Sequence, residues 1–558
     1  MISRIHYKIL IGLLLKEGEV LIIPICKLFL TVVIFLSITF KGYTNDFVSS
    51  KYGSYLSWDY AKDNRDLENL KILLKQIDLN KIEDSSLEEV FFESVIFDEW
   101  TKAEEISSIL LKKDRDNFSA NLFKFFLSFL NGQDSDQYLK KVDYKYLDSN
   151  FLNSILIWKN YDKEKIETSN ENNCVPLICL HSALTLKLRG ENKKAQIFFD
   201  KIEEERFVSY RIKELLLLNA IQEEKKSANT ILNQINSYDL NIKNFDLNYL
   251  LNNQKLLNPV GNKQDGMAEV LYNISSWFFS KDLYKYSTFF GKISLKLRPD
   301  FNAMKLLLLG NFEKLGYKNL GINYAKNLNT DNLYYYKFLR MKLSLFEDLN
   351  KDKEFILDLK KFTQTYPNKI EMKILLANKY RKLEQYEKAI KIYSEIINNQ
   401  SLSENWNIFY SRGISYERMN DWNKAEKDLK EAMRLNPDDP YILNYLAYSW
   451  LDRNKNVEKA LSLLKKAVEI EPDDAYIIDS LGWAFFLSDQ TDKSIFFLEK
   501  AVSILPDDAT LNDHLGDAYW KAGRQSEAKS QWKRVLILDP QFKKKNVINS
   551  KIQNGLKR

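Results

Sequence analysis

The chain has 558 residues and a formal net charge of +6, from 82 basic and 76 acidic side chains. Because single cores stop growing beyond about 250–300 residues, this length predicts either several domains or an array of repeats that pack only on their neighbours. The near balance of charges argues against nucleic acid as a partner. Glycine (17 residues) and proline (10 residues) are scarce, so the composition favours a mostly helical fold.

The N-terminus carries an apolar stretch from Val20 to Phe40 that Lys27 interrupts. Its clean part, Leu28 to Phe40, is shorter than the roughly 20 residues of a membrane span and suits the apolar region of a signal sequence. Excess positive charge ahead of it predicts that this end stays in the cytoplasm while the rest crosses the inner membrane. No clean cleavage site follows, so residues 1–41 are predicted to be a signal or a signal anchor, with the bulk of the chain periplasmic. A buried helix of a soluble, cytoplasmic domain is the alternative.

The three cysteines predict no metal site. Cys26 follows an isoleucine, where a bacterial lipidation site needs a small residue, so no lipid anchor is expected. Cys174 and Cys179 lie close in sequence to His181, but a zinc site needs a second pair of ligands, and none is visible. Two buried thiols on a core helix are the favoured interpretation, and a disulfide in an oxidising compartment is the alternative.

The middle of the chain shows the helical pattern more weakly. Residues 53–250 are predicted to be a divergent region of helical hairpins. The stretch 251–266 carries a turn signal at Asn258-Pro259, so it is predicted to be a linker. A repeat array is then expected over residues 267–540.

A period of 34 or 35 residues governs the C-terminal part. It sets the positions of Pro437, Pro472, Pro506 and Pro540. Small residues recur in phase at Gly413, Ala447, Gly482 and Gly516, and again at Ala425, Ala460, Ser494 and Ala528. Antiparallel helices can cross closely only where side chains are small, so the pattern predicts two helices in each period. Three of the prolines open a Pro-Asp-Asp motif, in which the proline ends one helix and the second aspartate can cap the next.

This pattern resembles the tetratricopeptide repeat, a 34-residue helical hairpin. The clearest units are predicted at residues 370–403, 406–439, 440–474, 475–508 and 509–541, followed by a basic tail at 542–558. The resemblance implies an all-α solenoid of tetratricopeptide hairpins, degenerate in the N-terminal half. The stretches 442–450, 476–483 and 511–520 also make residues 268–540 similar to proteobacterial cell-envelope proteins with these repeats. Some relatives look like scaffolds that bring a peptidase or cell-wall enzyme to its substrate.

The first helix of each unit lines the concave face in such an array. With units starting at 406, 440, 475 and 509, that face combines a polar ladder with aromatic rings. The predicted peptide-binding residues are Tyr410, Asn444, Tyr448, Asp479, Trp483, Asp513, Asp517 and Trp520. Rings and acids together suit a protein or peptide partner with apolar anchors and Lys or Arg. In the alternative, the polar residues bond within the stack and the rings pack between repeats.

The motifs of common enzyme chemistries do not occur in the sequence. It has no Gly-rich phosphate loop, no Cys-x-x-Cys pair and no His-Glu-x-x-His helix, so no catalytic residue, cofactor or metal is predicted. His514 has acidic neighbours, but they occupy repeat positions. We therefore expect a non-enzymatic scaffold or adaptor of the cell envelope. The alternatives are an enzyme or carbohydrate-binding domain within residues 53–250, with the repeats as an accessory, and a cytoplasmic tetratricopeptide co-chaperone.

Overall fold

The structure is a computed structural model that describes residues 53–79, 82–142, 147–163, 174–205, 208–238, 259–325, 334–398 and 405–556. The predicted signal segment at 1–41, with Cys26, lies outside these ranges, as does 251–258 of the predicted linker. The regular elements of the described residues are 28 α-helices and no strands, which confirms the all-α fold. None of these helices has the length and apolar character that a membrane crossing requires. Two compact units divide between Leu345 and Phe346.

Unit 1, up to Leu345, is built of short helices joined by turns. Its helices are α1 (Gly53–Asp63), α2 (Leu67–Gln76), α3 (Asp84–Ile96), α4 (Trp100–Lys113), α5 (Phe118–Leu130), α6 (Asp136–Leu139), α7 (Ser149–Lys159), α8 (Pro176–Leu188), α9 (Asn192–Glu203), α10 (Tyr210–Gln222), α11 (Ser227–Tyr238), α12 (Lys263–Ser280), α13 (Tyr284–Leu297), α14 (Asn302–Leu315) and α15 (Lys318–Ala325). Helices adjacent in the chain pack on each other, such as α1 on α2, α8 on α9 and α12 on α13. A further helix, α16 (Tyr335–Asp348), runs across the division between the units.

The core of unit 1 also joins helices that are distant in sequence. The ring centroid of Phe91 on α3 lies 5.2 Å from that of Phe123 on α5 and 5.4 Å from that of Phe289 on α13, both in edge-on contacts. Such contacts between buried rings stabilise packing beyond the area that they bury. In a linear array each repeat touches only its neighbours. The contact of α3 with α13 therefore gives unit 1 a shared core in addition to its hairpins.

The C-terminal end of the predicted linker at 251–266 overlaps a packed helix. Helix α12 begins at Lys263, inside that stretch, and Gly266 lies against Trp158 on α7, where a Cβ would come within 2.3 Å of ring atoms. On the same helix, Glu269 accepts a hydrogen bond of 3.0 Å from Nε of Arg211 on α10, and both side chains are buried. Helix α12 therefore shares a core with helices that precede the predicted linker, which local turn signals do not reveal.

Unit 2 is a run of helical hairpins. Its helices are α17 (Asp352–Thr365), α18 (Ile370–Lys382), α19 (Tyr386–Ile397), α20 (Trp406–Arg418), α21 (Trp422–Leu435), α22 (Pro440–Leu451), α23 (Val457–Ile470), α24 (Ala475–Leu487), α25 (Thr491–Ile504), α26 (Ala509–Lys521), α27 (Gln525–Leu538) and α28 (Lys545–Asn554). The first helices α18, α20, α22, α24 and α26 begin at the first residues of the predicted units. Each packs on the second helix that follows it, and each second helix packs on the next first helix.

Small residues lie where the two helices of a repeat cross. A Cβ added at Gly482 would lie 2.7 Å from Cγ of Leu498, and one added at Gly516 would lie 2.5 Å from Nε1 of Trp532. Both distances are shorter than a normal contact, so the helices can approach this closely only with glycine at the crossing point.

The Pro-Asp-Asp motifs cap the first helices, as the sequence predicts. Asp439, Asp474 and Asp508 each accept two hydrogen bonds, of 2.8 to 3.1 Å, from backbone N–H groups in the first turn of the following helix. The unit at 440–474 has 35 residues, one more than the unit at 475–508, and the extra residue is accommodated between α22 and α23. There Asn454 and Asn456 both adopt the left-handed conformation, with φ of 50°, which asparagine tolerates better than most residues.

The C-terminal segment predicted as a basic tail contains a packed helix. Helix α28 buries Ile548 in a cluster with Leu515 and Trp532 of the last repeat. It ends at Gly555, whose φ is 78° and whose Cα lies so close to Trp520 that a Cβ would come within 1.9 Å of the ring. This helix is hard to recognise in a lysine-rich sequence, because only Ile548 and Ile552 on the helix and Leu556 just after it, at four-residue spacing, indicate a buried face.

The favoured interpretation of Cys174 and Cys179 as two thiols is wrong. The structure joins them in a disulfide, with Cα atoms 5.6 Å apart. Cys174 lies just before the start of α8 and Cys179 in its first turns, so the chain entering the helix brings the two residues together. His181 lies on the same helix, buried, and its Nδ1 accepts a hydrogen bond of 3.0 Å from Nε1 of Trp158.

Candidate peptide-binding groove

The eight predicted peptide-binding residues lie on four successive first helices of unit 2. Tyr410 is on α20, Asn444 and Tyr448 are on α22, Asp479 and Trp483 are on α24, and Asp513, Asp517 and Trp520 are on α26. Side-chain contacts join some of these first helices, such as Tyr410 with Tyr445 and Asp479 with His514. We call the surface formed by these four helices the groove.

The upstream end of the groove is aromatic and polar. The ring of Tyr410 meets Tyr445 of the next first helix edge-on, with centroids 5.8 Å apart. Burial, with a contribution from Asp439, raises the pKa of the Tyr410 hydroxyl to about 12, so this group is a neutral hydrogen-bond donor at physiological pH. Within the described part of the chain, the enclosed Oδ1 of Asn444 has no hydrogen-bond partner. An enclosed acceptor without a partner is costly, so a donor from a ligand or water would be favoured there.

The middle of the groove is an aspartate–histidine pair covered by a tryptophan. Nδ1 of His514 lies 2.8 Å from Oδ2 of Asp479, which links α26 to α24. The Trp483 ring stacks on the His514 ring with centroids 4.4 Å apart, and on Phe486 at 4.6 Å. Burial lowers the pKa of His514, but Asp479, with smaller contributions from Asp513 and Asp517, outweighs burial and holds that pKa above its ordinary value. The charged imidazole is thus stabilised by a carboxylate beside it and a ring over its face.

The charge of Asp479, in the pair with His514, also acts on the hydroxyl of Tyr448. Burial raises the pKa of its hydroxyl to about 12, and Asp479 makes the next largest contribution, followed by Asp452 and Asp513. Deprotonation beside these carboxylates would place like charges together. Tyr448 is therefore a neutral, half-buried donor between the upstream and downstream parts of the groove.

The downstream end holds two carboxylates and one ammonium group. Nζ of Lys551 on α28 lies 2.7 Å from Oδ1 of Asp513 and 2.8 Å from Oδ2 of Asp517. Asp517 also accepts a hydrogen bond of 3.0 Å from Nε1 of Trp532. Burial raises the pKa of Asp517 to about 6, and the neighbouring Asp513 adds to this rise while Lys551 opposes it. Trp520 completes this end, in tilted contact with Trp532 at 5.5 Å between ring centroids.

The carboxylates are therefore not the open polar ladder that the sequence suggests. Asp479, Asp513 and Asp517 are all buried, and each already has a cationic or hydrogen-bonding partner inside unit 2. In this respect the structure agrees with the alternative in which the polar residues bond within the stack. The reason is that each partner comes from another helix: His514 lies on the first helix of the next repeat, and Lys551 lies on α28. The sequence pattern within one repeat does not show these contacts. Peptide binding at the eight positions stays a prediction.

Two exposed rings were missed by the sequence analysis. Tyr441 on α22 is 51% exposed and Tyr476 on α24 is 55% exposed. Each follows its capping aspartate by two residues, at the second position of a first helix, and this repeated spacing was visible in the sequence. The hydroxyl of Tyr476 donates a hydrogen bond of 3.3 Å to the capping Asp508 of the next repeat. Tyr441 and Tyr476 are therefore the most accessible aromatic side chains near the groove.

The described residues contain no group of three or more His, Cys, Asp or Glu side chains arranged to hold a metal ion. The clusters of the groove are instead ion pairs and stacked rings.

Comparison with known proteins identifies the repeats. Residues 410–475, from α20 to the start of α24, match the family model described as tetratricopeptide repeat. The two hairpins within this match, α20–α21 and α22–α23, are thus tetratricopeptide repeats. Among solved structures, residues 41 to the end of MamA from Desulfovibrio magneticus RS-1 are 20% identical, with 32% of this chain and 98% of that chain covered and a TM-score of 0.28. YrrB, described as a tetratricopeptide-repeat protein with an unusual peptide-binding site, is 16% identical over 34% of this chain and 97% of that chain, with a TM-score of 0.29. No curated protein sequence matches the chain.

Proposed function

We propose that this tetratricopeptide-repeat protein is a non-enzymatic scaffold that holds a partner peptide along the first helices of unit 2. The observation that carries the proposal is the row of accessible rings on consecutive first helices. Tyr441 and Tyr448 lie on α22, and Tyr476 and Trp483 lie on α24. Rigid aromatic side chains supply large contact areas at low cost in conformational entropy, which makes them frequent anchors for peptides.

The polar groups between the rings support a backbone contact with the peptide. The enclosed Oδ1 of Asn444 needs a donor, and a peptide N–H would satisfy it. Neutral tyrosine hydroxyls such as that of Tyr448 can donate to a peptide carbonyl. A partner in extended or helical form would therefore gain hydrogen bonds as well as ring contacts.

The charge of the groove supports a basic partner. Three carboxylates, of Asp479, Asp513 and Asp517, face two cationic side chains, His514 and Lys551. The cluster thus keeps an excess of negative charge when all five groups are ionised. Because the carboxylates are already paired, this excess would favour Lys or Arg in the partner through its field rather than through direct ion pairs.

Export to the cell envelope forms part of the proposal. The apolar segment at residues 20–40 and the pair Cys174–Cys179 both support it, because disulfides persist in oxidising compartments such as the periplasm. The role there would be to bring a peptidase or cell-wall enzyme to its substrate, as the family resemblance implies. Cell fractionation with N-terminal sequencing and thiol labelling tests this step. Recovery in the cytoplasm with free thiols at both cysteines would refute it.

Photo-crosslinking in cells tests the groove. A crosslinking residue at Tyr476 should capture a specific protein, and the same residue at Phe496, an exposed ring on the second helix α25, should not. Trp483→Ala should weaken the capture by roughly tenfold or more, because central aromatic anchors dominate such interfaces. Identical products from Tyr476 and Phe496, or no product from either, would rule out the groove as the binding surface.

A further inference from the structure

We use the word corner for the turn between the second helix of one repeat and the helix that follows it. The last corner of the array differs in charge from the corners before it. In the earlier corners the turn reads Pro-Asp-Asp. In two of them a basic side chain on the second helix of the next repeat pairs with the first of these aspartates. Nζ of Lys466 on α23 lies 2.5 Å from Asp438, and Nη2 of Arg534 on α27 lies 3.3 Å from Asp507. These turns are therefore close to electrical balance.

The fourth corner lacks the two aspartates of the others, because Gln541 and Phe542 stand at those positions, and three lysines follow them. The sequence from Pro540 reads Pro-Gln-Phe-Lys-Lys-Lys, and it leads into helix α28. Residues 533–547 contain five basic side chains, of which Arg534 pairs with Asp507 of the preceding corner. Their one acid is Asp539, whose carboxylate accepts a hydrogen bond of 3.0 Å from N of Gln541. Lys543, Lys544 and Lys545 are exposed and have no ion pair with another described residue, and Nζ of Lys545 donates a hydrogen bond of 3.1 Å to the carbonyl oxygen of Pro540. We call residues 533–547 the basic corner.

Exposed aliphatic side chains lie within the basic corner. Ile537, in the last turn of α27, is 77% exposed, and Val547, in the first turn of α28, is 50% exposed. A tight turn joins the two helices, since Phe542 N bonds to Asp539 O at 3.0 Å and Lys545 N to Phe542 O at 2.9 Å. The lysines thus lie between the two aliphatic residues along a short stretch of chain.

We propose that the basic corner binds the surface of a bilayer that contains anionic phospholipid. Ile537 and Val547 enter the boundary between headgroups and acyl chains, and the lysines contact lipid phosphates. Aliphatic residues flanked by lysine are the composition of segments that lie at a membrane interface. A bilayer offers hydrocarbon and phosphate at fixed depths everywhere on its surface, whereas a protein partner would need a pocket placed for Ile537. This inference does not depend on peptide binding in the groove.

A fluorophore at the corner itself provides the test, because the apolar segment at residues 20–40 can attach the whole chain to any vesicle. The full chain with Cys26→Ser and Ile537→Cys, labelled with an environment-sensitive dye, is incubated with vesicles of phosphatidylcholine alone or mixed with phosphatidylglycerol. The matched control is Ile504→Cys, an exposed isoleucine at the end of α25 whose turn carries Asp507. We expect a blue shift at position 537 with phosphatidylglycerol only, reversed by salt, and none at position 504.

Replacing the three lysines quantifies the effect. Each lysine near an anionic surface strengthens binding by about fivefold, so Lys543→Gln, Lys544→Gln and Lys545→Gln together should weaken the partitioning of the corner by about a hundredfold. These side chains are exposed, so circular dichroism should show native helix content in this variant. Equal shifts at positions 504 and 537, equal shifts on both vesicles, or unchanged binding by the glutamine variant would overturn the proposal. A shift caused by soluble polyglutamate but not by vesicles would also overturn it, in favour of an acidic protein.

Discussion

The ammonium group of Lys551 lies 2.7 Å from Oδ1 of Asp513, and this contact fastens helix α28 to the last first helix of the array. Both side chains are buried, and Asp517 shares the same ammonium group. Asp479 holds the equivalent position one repeat earlier, and its partner is His514 on the first helix of the next repeat. Helix α28 thus closes the array by supplying the charge that a further repeat would have supplied.

Lys551→Met should strongly destabilise unit 2. The substitution keeps much of the side-chain volume but leaves Asp513 and Asp517 buried beside each other without a cation, which costs about 3 kcal/mol or more. Hydrogen exchange of the full chain should show loss of protection in α26 and α28. Lys533→Met, an exposed lysine on α27, is the control and should change stability by less than about 0.5 kcal/mol. Equal protection in both variants would show that the buried contact contributes little.

The stability of unit 2 should fall as pH rises from about 4 to about 6 because of Asp517. Burial and Asp513 raise the pKa of Asp517 from 3.8 to about 6. The folded state therefore binds this proton more tightly than the unfolded state, so its stabilising effect is complete below pH 3.8 and is lost as pH passes about 6. A pKa change of this size corresponds to about 3 kcal/mol. Asp517→Asn should remove this part of the slope in urea unfolding measured across that range.

His514 should also make the stability of unit 2 fall as pH rises, but at a higher pH than Asp517. The two contributions can therefore be separated. Burial lowers the pKa of His514, but Asp479 together with Asp513 and Asp517 raises it above 6.5, so the stability from the charged imidazole is present below pH 6.5 and lost as pH rises through the raised pKa. Asp517→Asn should keep this second loss. A slope between about pH 4 and about pH 6 that survives in the Asp517→Asn variant would contradict the assignment to Asp517.

Glu93→Gln should stabilise unit 1 at alkaline pH. Glu93 is buried on α3, with the hydroxyl of Tyr317 3.4 Å from both carboxylate oxygens, and burial raises its pKa to about 7. The folded state favours the neutral acid, so stability falls as pH rises from 4.5 to about 7. Above that range a neutral amide should gain about 3 kcal/mol relative to the ionised acid. Unfolding of unit 1 at pH values on either side of this range measures the gain.

Glu89→Gln is the matched control on the same helix. Its carboxylate pairs with Lys62 at 3.1 Å and Lys285 at 3.0 Å, and although burial opposes it, these lysines lower the pKa of Glu89. The substitution should cost stability at neutral pH, by less than about 1 kcal/mol because the pair is partly exposed. Stabilisation by both variants, or by neither, would contradict the different environments of the two glutamates.

Alanine at the crossing glycines should destabilise the repeats in a graded order. The added Cβ would lie 3.0 Å from Leu429 at Gly413 but only 2.5 Å from Trp532 at Gly516. At Gly516 the indole must move, which also weakens its bond to Asp517, so a loss of about 1–3 kcal/mol is expected. Thermal unfolding should show a smaller loss for Gly413→Ala. The reverse order would show that the spacing is set by other contacts.

The sequence predicts those parts of the fold that depend on local chemistry. A proline stops a helix and an aspartate caps the next within a few residues, so Asp474 and Asp508 could be assigned their roles from sequence alone. Glycine at a helix crossing is equally local, because only the missing side chain of Gly516 is needed to predict a close approach.

The sequence does not show contacts between distant residues. The pair Arg211–Glu269 joins helices on the two sides of the predicted linker, and no periodicity relates the two positions. At the candidate site, the positions of the acidic residues were predictable, but their pairing with His514 and Lys551 was not. Lys551 lies in a segment whose lysines resemble a solvated tail, and only its buried contact with Asp513 assigns it to the groove.

In unit 2 an aspartate on one first helix pairs with a cationic side chain on a later helix, as in Asp479–His514 and Asp513–Lys551. This pairing has a consequence for adding a repeat to the protein. A tandem duplication of residues 509–542 would place a second copy of His514 opposite the original Asp513, as the original His514 now faces Asp479. The outermost copy would keep Lys551 as its counter-ion. Gene duplication could therefore add a repeat at this end with the pairing preserved at each copy of Asp513, and a soluble, folded product with one more hairpin would be the expected result. Aggregation of that longer chain would show that the terminal helix accepts only its present neighbour.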